Sequence, residues 1–134
     1  MINNSEVLIT GGYGFIGAHI AKGLAEYSLG NSVTLFDKNV GQDTTGDNLG
    51  LNGYDNVKIV EGSVLDPSDY AELPKNYNYI VNAAGYLGID RVSQNQLETL
   101  DTNTLGARNC LEFAAQHSEM SSYLFSEHSS HSPA

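Results

Sequence analysis

The stretch Thr10-Gly11-Gly12-Tyr13-Gly14-Phe15-Ile16-Gly17 lies between the apolar run Val7-Leu8-Ile9 and an amphipathic segment that begins at Phe15. It therefore sits where a strand hands over to a helix. Gly11, Gly14 and Gly17 fit the variant of the dinucleotide fingerprint that spaces its glycines by three and three. One glycine allows the tight turn, one lets the backbone approach a pyrophosphate, and one lets helix and strand pack closely. The phosphates then lie against N–H groups at a helix N-terminus, where the helix dipole also favours negative charge.

Outward from this turn, the patterning alternates strand and helix. Glu6 to Thr10 reads as a buried strand, and Phe15 to Leu29 as a helix carrying Ile16, Ile20, Leu24 and Tyr27 on one face, stopped by Gly30 and Asn31. Ser32 to Phe36 is β-branched and apolar and ends at Asp37, about twenty residues beyond the glycine turn. A carboxylate there accepts hydrogen bonds from both ribose hydroxyls of an adenosine and repels a 2′-phosphate. NAD is thereby favoured over NADP, with Lys38 next door as a counterweight.

Residues 38–56 are rich in Gly, Asn, Asp and Thr, with periodicity too weak to assign more than a short helix. Val57 to Val60 reads as a third strand followed by a turn at Glu61-Gly62. Ser63, Val64 and Leu65 then fall beside the cofactor crevice, where Ser63 offers a hydrogen bond to an adenine and Val64 an apolar contact. Asp66-Pro67 opens a short helix, with Asp66 as N-cap and Pro67 in the first helical position.

Tyr79 to Asn82 is the fourth strand, and Ala83, Ala84 and Gly85 after it are small enough for the backbone to approach the nicotinamide half of the ligand. A long helix follows over 93–117, with Leu97, Leu100, Thr104, Ala107, Leu111 and Ala114 along one face and Cys110 on its apolar side as a small buried filler. Tyr123 to Ser126 reads as a fifth strand. The alternation predicts an α/β, doubly wound parallel sheet of about five strands in the order 3-2-1-4-5, helices on both faces, with the cofactor crossing between the first and fourth strands. Residues 1–126 form this domain, and 127–134 read as a loose Ser- and His-rich tail.

The 134 residues suit one domain. Sixteen acidic against six basic residues, a formal charge of −10, argue against nucleic acid and anionic membrane as partners. The N-terminus is no secretory signal and no stretch is long and apolar enough for a membrane span. With a single cysteine there is no internal disulfide, and a cytoplasmic location is expected. No metal site is expected: His128 and His131 lie in the polar tail without carboxylate or thiolate spacing.

Thr10 to Gly17, Asp37, Asn82-Ala83-Ala84-Gly85 and Asp101-Thr102-Asn103-Thr104-Leu105-Gly106, in this order, resemble the extended short-chain dehydrogenase/reductases, the NAD-dependent nucleotide-sugar epimerases and dehydratases. The resemblance covers residues 6–126. It implies a Rossmann-like fold, NAD as cofactor and a nucleotide sugar as substrate of the full-length family, in which homodimers through the long helix are common. It also implies that Gly11, Gly14, Phe15, Ile16 and Gly17 form the pyrophosphate turn, that Asp37 binds the ribose, that Ala83, Ala84 and Gly85 pass under the cofactor, and that Asn103 supports the active site. The family's chemistry is a transient hydride transfer: a tyrosine phenolate takes a sugar hydroxyl proton while NAD takes the hydride.

Two departures limit the resemblance. The family's Tyr-x-x-x-Lys pair belongs beyond the fifth strand, and the single literal match here, Tyr54 to Lys58, straddles a loop and a strand. Past Phe125, His128 stands where the substrate-orienting hydroxyl belongs, and only a shift brings Ser129 there. The fold is thus expected to be incomplete relative to the family and the truncated chain to be inactive by itself. The alternative is a non-catalytic NAD-binding or redox-sensing module.

Overall fold

A strand that is apolar on both faces must be covered on both, and β1 (Glu6–Thr10) is such a strand: Val7, Leu8 and Ile9 are all fully buried. The computed structural model describes residues 4–27, 30–38, 45–74, 76–84, 102–116 and 122–125, with backbone alone at 27, 45, 102, 103 and 122–125. In it β1 is the centre of a five-stranded sheet with the order β3-β2-β1-β4-β5. The flanking strands are β2 (Ser32–Asp37), β3 (Val57–Glu61), β4 (Tyr79–Asn82) and β5 (Ser122–Phe125). Every pairing is parallel. The expected strand order is therefore observed, with β3 one residue longer than its apolar run and β5 beginning one residue earlier than expected.

Alternation sorts the side chains into two cores. On one face Val7, Ile9, Val33, Leu35 and Val81 pack with Tyr13, Leu51 and the helix α1 (Phe15–Tyr27). On the other, Leu8, Phe36 and Ile80 pack with Val64, Tyr70, Tyr77 and the helix α3 (Ala107–Ala114). Each fully buried aliphatic side chain contributes about 1.5–3 kcal/mol. Aromatic rings run through the second core, Phe36 to Tyr70 at 5.0 Å and Tyr70 to Phe113 at 5.3 Å between centroids.

Small residues, rather than the aliphatic face expected, bring α1 down onto the sheet. Ala18 and Ala21 are fully buried, while Ile20 and Leu24 pack only at the border of the core. The connection from β2 to β3 contains one helical turn, α2 (Thr45–Asn48), and a 3-10 turn at Leu51–Gly53. After β3, Pro67–Glu72 is a 3-10 helix capped as expected by Asp66, whose carboxylate accepts from the Ser68 N–H.

The second helix differs more from its expected phase. A π turn, Thr102–Gly106, precedes α3, and the buried face is Gly106, Cys110, Phe113 and Ala114, whereas Leu111 is 54% exposed and Thr104 is exposed. The buried face of α3 thus lies one residue earlier than the face projected from Leu97 and Leu100. Those two residues lie outside the described residues.

Asparagines pin the edge at which the strands enter. Asn31 Oδ1 accepts from the Ser5 N–H, Asn56 Nδ2 donates to the Asn31 carbonyl, and Asn78 Oδ1 accepts from the Glu6 N–H.

Candidate functional site

Parallel strands deliver all their C-terminal ends to one edge, and here that edge carries Thr10, Asp37, Glu61 and Asn82. The chain leaves β1 toward one face through α1 and leaves β4 in the opposite sense of the strand order. A crevice opens at such a reversal. Its floor is fixed by a buried pair: the Thr10 hydroxyl donates to Asn82 Oδ1 at 2.6 Å, joining the ends of β1 and β4.

The three glycines of the turn divide their work. Gly11 has φ +70, and a Cβ there lies 2.6 Å from the Ala84 backbone, so the β4 exit loop rests directly on the turn. This brings Gly11 together with Ala83, whose N–H donates to the Thr10 carbonyl at 2.9 Å, and with Ala84. Gly17 faces inward, where a Cβ collides with the Gly11 carbonyl oxygen. Gly14 is exposed, and a Cβ on it meets only the Gly11 oxygen at 3.4 Å, an ordinary contact. Gly14 thus leaves open space at the start of a thirteen-residue helix, whose first-turn N–H groups lack helical acceptors and favour negative charge. Phe15 is 63% exposed beside it, its ring 4.7 Å from that of His19, and Ile16 is half-buried.

Asp37 is buried at the end of β2, and its Oδ2 accepts the Tyr13 N–H at 2.9 Å. The carboxylate is thus held beside the glycine turn, while the Gly11 N–H donates to the Phe36 carbonyl at 2.8 Å. Lys38 follows, half-buried. The Asp37 carbonyl accepts the Gly62 N–H at 3.2 Å, which ties the loop after β3 to the same place. In that loop the Ser63 N–H donates to Asp69 Oδ2 at 2.9 Å, and Ser63 Oγ accepts the Leu65 N–H at 3.1 Å. The Val64 carbonyl accepts from Asn109 Nδ2 and the Tyr70 hydroxyl, and its side chain abuts Gly106. Val64 thereby connects the loop to the π turn that contains Asn103.

Of the residues expected at the site, Gly11, Gly14, Phe15, Ile16, Gly17, Asp37, Lys38, Ser63, Val64, Ala83 and Ala84 all fall on this edge. Asn103 is placed by its backbone, and Gly85 and Ser129 lie outside the described residues. Tyr54 and Lys58 are not brought together as a pair. Tyr54 is at the opposite edge of the sheet, where its hydroxyl donates to Glu26, itself paired with Lys22 at 2.6 Å.

Tyr13, Thr10, Asn82 and Asn109 carry structural weight that the sequence motifs do not assign to them. The signal for Thr10 and Asn82 is a pair of polar residues closing apolar strands on either side of the crevice. Tyr13 is buried, and its phenol is pushed above 10.0 by burial, then by the carboxylates of Asp47 and Asp37.

Comparison with known proteins agrees with this geometry. The sequence model of the NAD dependent epimerase/dehydratase family matches residues 7–131. A UDP-N-acetyl-alpha-D-glucosaminuronate decarboxylase of Bacillus cytotoxicus is 35% identical over 107 residues, 80% of this chain and 32% of that protein. A dTDP-glucose 4,6-dehydratase of Streptomyces niveus is 27% identical over 116 residues, covering 84% and 34%. Among solved structures, the Bordetella bronchiseptica enzyme WbmF in complex with NAD+ superposes with a TM-score of 0.77 at 24% identity, covering 92% of this chain and 36% of that one. The chain spans about a third of the length of these relatives.

Proposed function

Because the chain belongs to the NAD dependent epimerase/dehydratase family, we propose that it binds NAD across the crevice between β1 and β4, as the cofactor-holding part of an enzyme acting on a nucleotide sugar. The observation that carries this reading is the joint placement of the glycine turn and Asp37 by the Tyr13 N–H. Gly14, Phe15 and Ile16 hold the pyrophosphate at the start of α1, with Gly11 and Gly17 shaping the turn. Asp37 takes the ribose hydroxyls beside Lys38, and Ser63 and Val64 flank the adenine. Ala83, Ala84 and Gly85 approach the nicotinamide, near Asn103. Bound there, NAD supplies a reversible hydride acceptor.

The single Tyr-x-x-x-Lys match of the sequence is divided between a loop and β3, so Tyr54 and Lys58 do not form the family's proton-transferring pair. We therefore expect this chain to bind NADH without turning over UDP- or dTDP-sugars. A fluorescence titration tests the binding: saturable enhancement of NADH emission is expected, and none at millimolar NADH overturns the reading. Turnover by the pure 134-residue chain overturns the expected inactivity.

The engagement of Tyr54 by Glu26 also suits a second reading, a non-catalytic NAD-binding module. Sequencing the gene beyond the Ala134 codon separates the two, since a frame carrying Tyr-x-x-x-Lys favours the enzyme. The exposed Leu105 and Leu111 suit a homodimer through this helix, which sedimentation tests. Among the described residues no helix is long and apolar enough to cross a membrane, and the buried thiol of Cys110 suits the reducing cytoplasm.

A further inference from the structure

We propose that Asp47 acts with Asp37 as a second carboxylate selecting the cofactor at its adenosine ribose, admitting a 2′-hydroxyl and rejecting a 2′-phosphate. This rests on the reading that the chain binds NAD.

The geometry centres on Tyr13. Its N–H donates to Asp37 Oδ2 at 2.9 Å, and its carbonyl accepts the Gly46 N–H at 3.0 Å. Gly46 lies flat against the buried Tyr13 ring, where any Cβ collides with the ring carbons. One residue of the glycine turn therefore holds Asp37 on its amide and α2 on its carbonyl. Asp47, the next residue after Gly46 in α2, is half-buried, and the Gly46–Tyr13 bond ties its backbone to the residue whose amide holds Asp37. Both carboxylates act on the Tyr13 phenol, Asp47 more strongly than Asp37, so both lie within electrostatic reach of one ring.

The chemistry at the two positions differs. Asp37 meets the ribose by hydrogen bonding, which a 2′-phosphate replaces with direct repulsion. Asp47 contributes charge: a phosphate ester carries about −1.5 to −2, and a second half-buried carboxylate raises the cost of bringing it in. Lys38 supplies an opposing charge next in sequence to Asp37.

NADH and NADPH are titrated separately into the wild-type chain and into Asp47→Asn and Asp47→Ser variants, with circular dichroism reporting the fold. Nicotinamide fluorescence reads both dissociation constants. In the variants NADPH is expected to bind more tightly than in wild type by roughly fivefold or more, while NADH changes by less than about twofold. Raising salt from about 0.01 M to about 1 M, where the Debye length falls from about 30 Å to about 3 Å, should narrow the NADPH-to-NADH ratio in wild type more than in the variants. If wild type binds NADH and both folded variants keep its NADPH-to-NADH ratio, the inference is overturned alone. If wild type binds no NADH, the cofactor reading fails and the inference with it.

Discussion

Gly14 and Gly17 stand three residues apart in one turn, yet an added methyl group has opposite consequences at the two. At Gly17 the methyl strikes the Gly11 carbonyl oxygen, so Gly17→Ala must separate α1 from the turn. Overpacking of this kind costs about 1–3 kcal/mol, and the urea midpoint should fall accordingly. At Gly14 the same methyl meets nothing closer than 3.4 Å and projects into open space. Gly14→Ala should leave the midpoint within about 0.5 kcal/mol of wild type while NADH affinity falls by roughly tenfold or more, since the backbone can no longer approach the pyrophosphate. The two variants separate folding from binding. Thr10 offers the converse case, a polar side chain in a place without water. Thr10→Val leaves Asn82 Oδ1 buried without its 2.6 Å donor, at a cost of about 1–3 kcal/mol. Thr10→Ser, which keeps the hydroxyl, should lose much less in the same denaturation experiment.

At the scale of elements, the strands were legible because a buried parallel strand announces itself by composition alone. Val7-Leu8-Ile9 and Val33 to Phe36 could scarcely be anything else once turn residues bounded them. The 3-10 helix at Pro67–Glu72 was legible for a different reason, the chemistry of its cap. Asp66 accepts from the Ser68 hydroxyl at 2.7 Å and from its N–H at 3.0 Å. These bonds, the hydroxyl's first, hold the carboxyl below its ordinary 3.8. A depressed folded value means the cap's contribution is complete above pH 3.8 and disappears as pH falls through the lower folded value. Asp66→Ala should therefore lower the urea midpoint at neutral pH, and the gap from wild type should close in acid below that value.

The face of α3 was not legible, because Ala107, Leu111 and Ala114 present an aliphatic stripe of their own, while the set actually buried, Gly106, Cys110, Phe113 and Ala114, includes a glycine and a cysteine that carry little apolar signal. Nor could the sequence show that Tyr13 reaches Asp37, or Asn109 the Val64 carbonyl. Those bonds span 24 and 45 residues and exist only once the sheet has assembled.

Across the whole molecule, the expected strand order and both covered faces are present in a chain about one third the length of its relatives. What the residues place on the C-terminal edge is the glycine turn with Asp37 beside it, the cofactor site proposed above, and what they place on the opposite edge is structural: Asn31, Asn56 and Asn78 stitching strand entries together, with Tyr54 bound to Glu26. This division explains why the cofactor could be inferred from local motifs while the sugar could not. Phosphate and ribose recognition need only a glycine turn and a carboxylate at a strand end, each with a short sequence signature.

The Thr10–Asn82 bond also has a meaning in time. It joins residues 72 apart, whereas the β1–β2 pairing begins with Glu6 opposite Ser32. Closing the longer loop loses more chain entropy, so β1, α1 and β2 should condense first and β4 dock afterwards. Until β4 arrives only the glycine turn and Asp37 are in place, and a ligand that needs both strands is held by half of its contacts in the earlier species. Stopped-flow refolding should then accelerate only slightly with saturating NADH, while unfolding in denaturant slows as NADH rises, most of the ligand's stabilisation appearing on the unfolding limb.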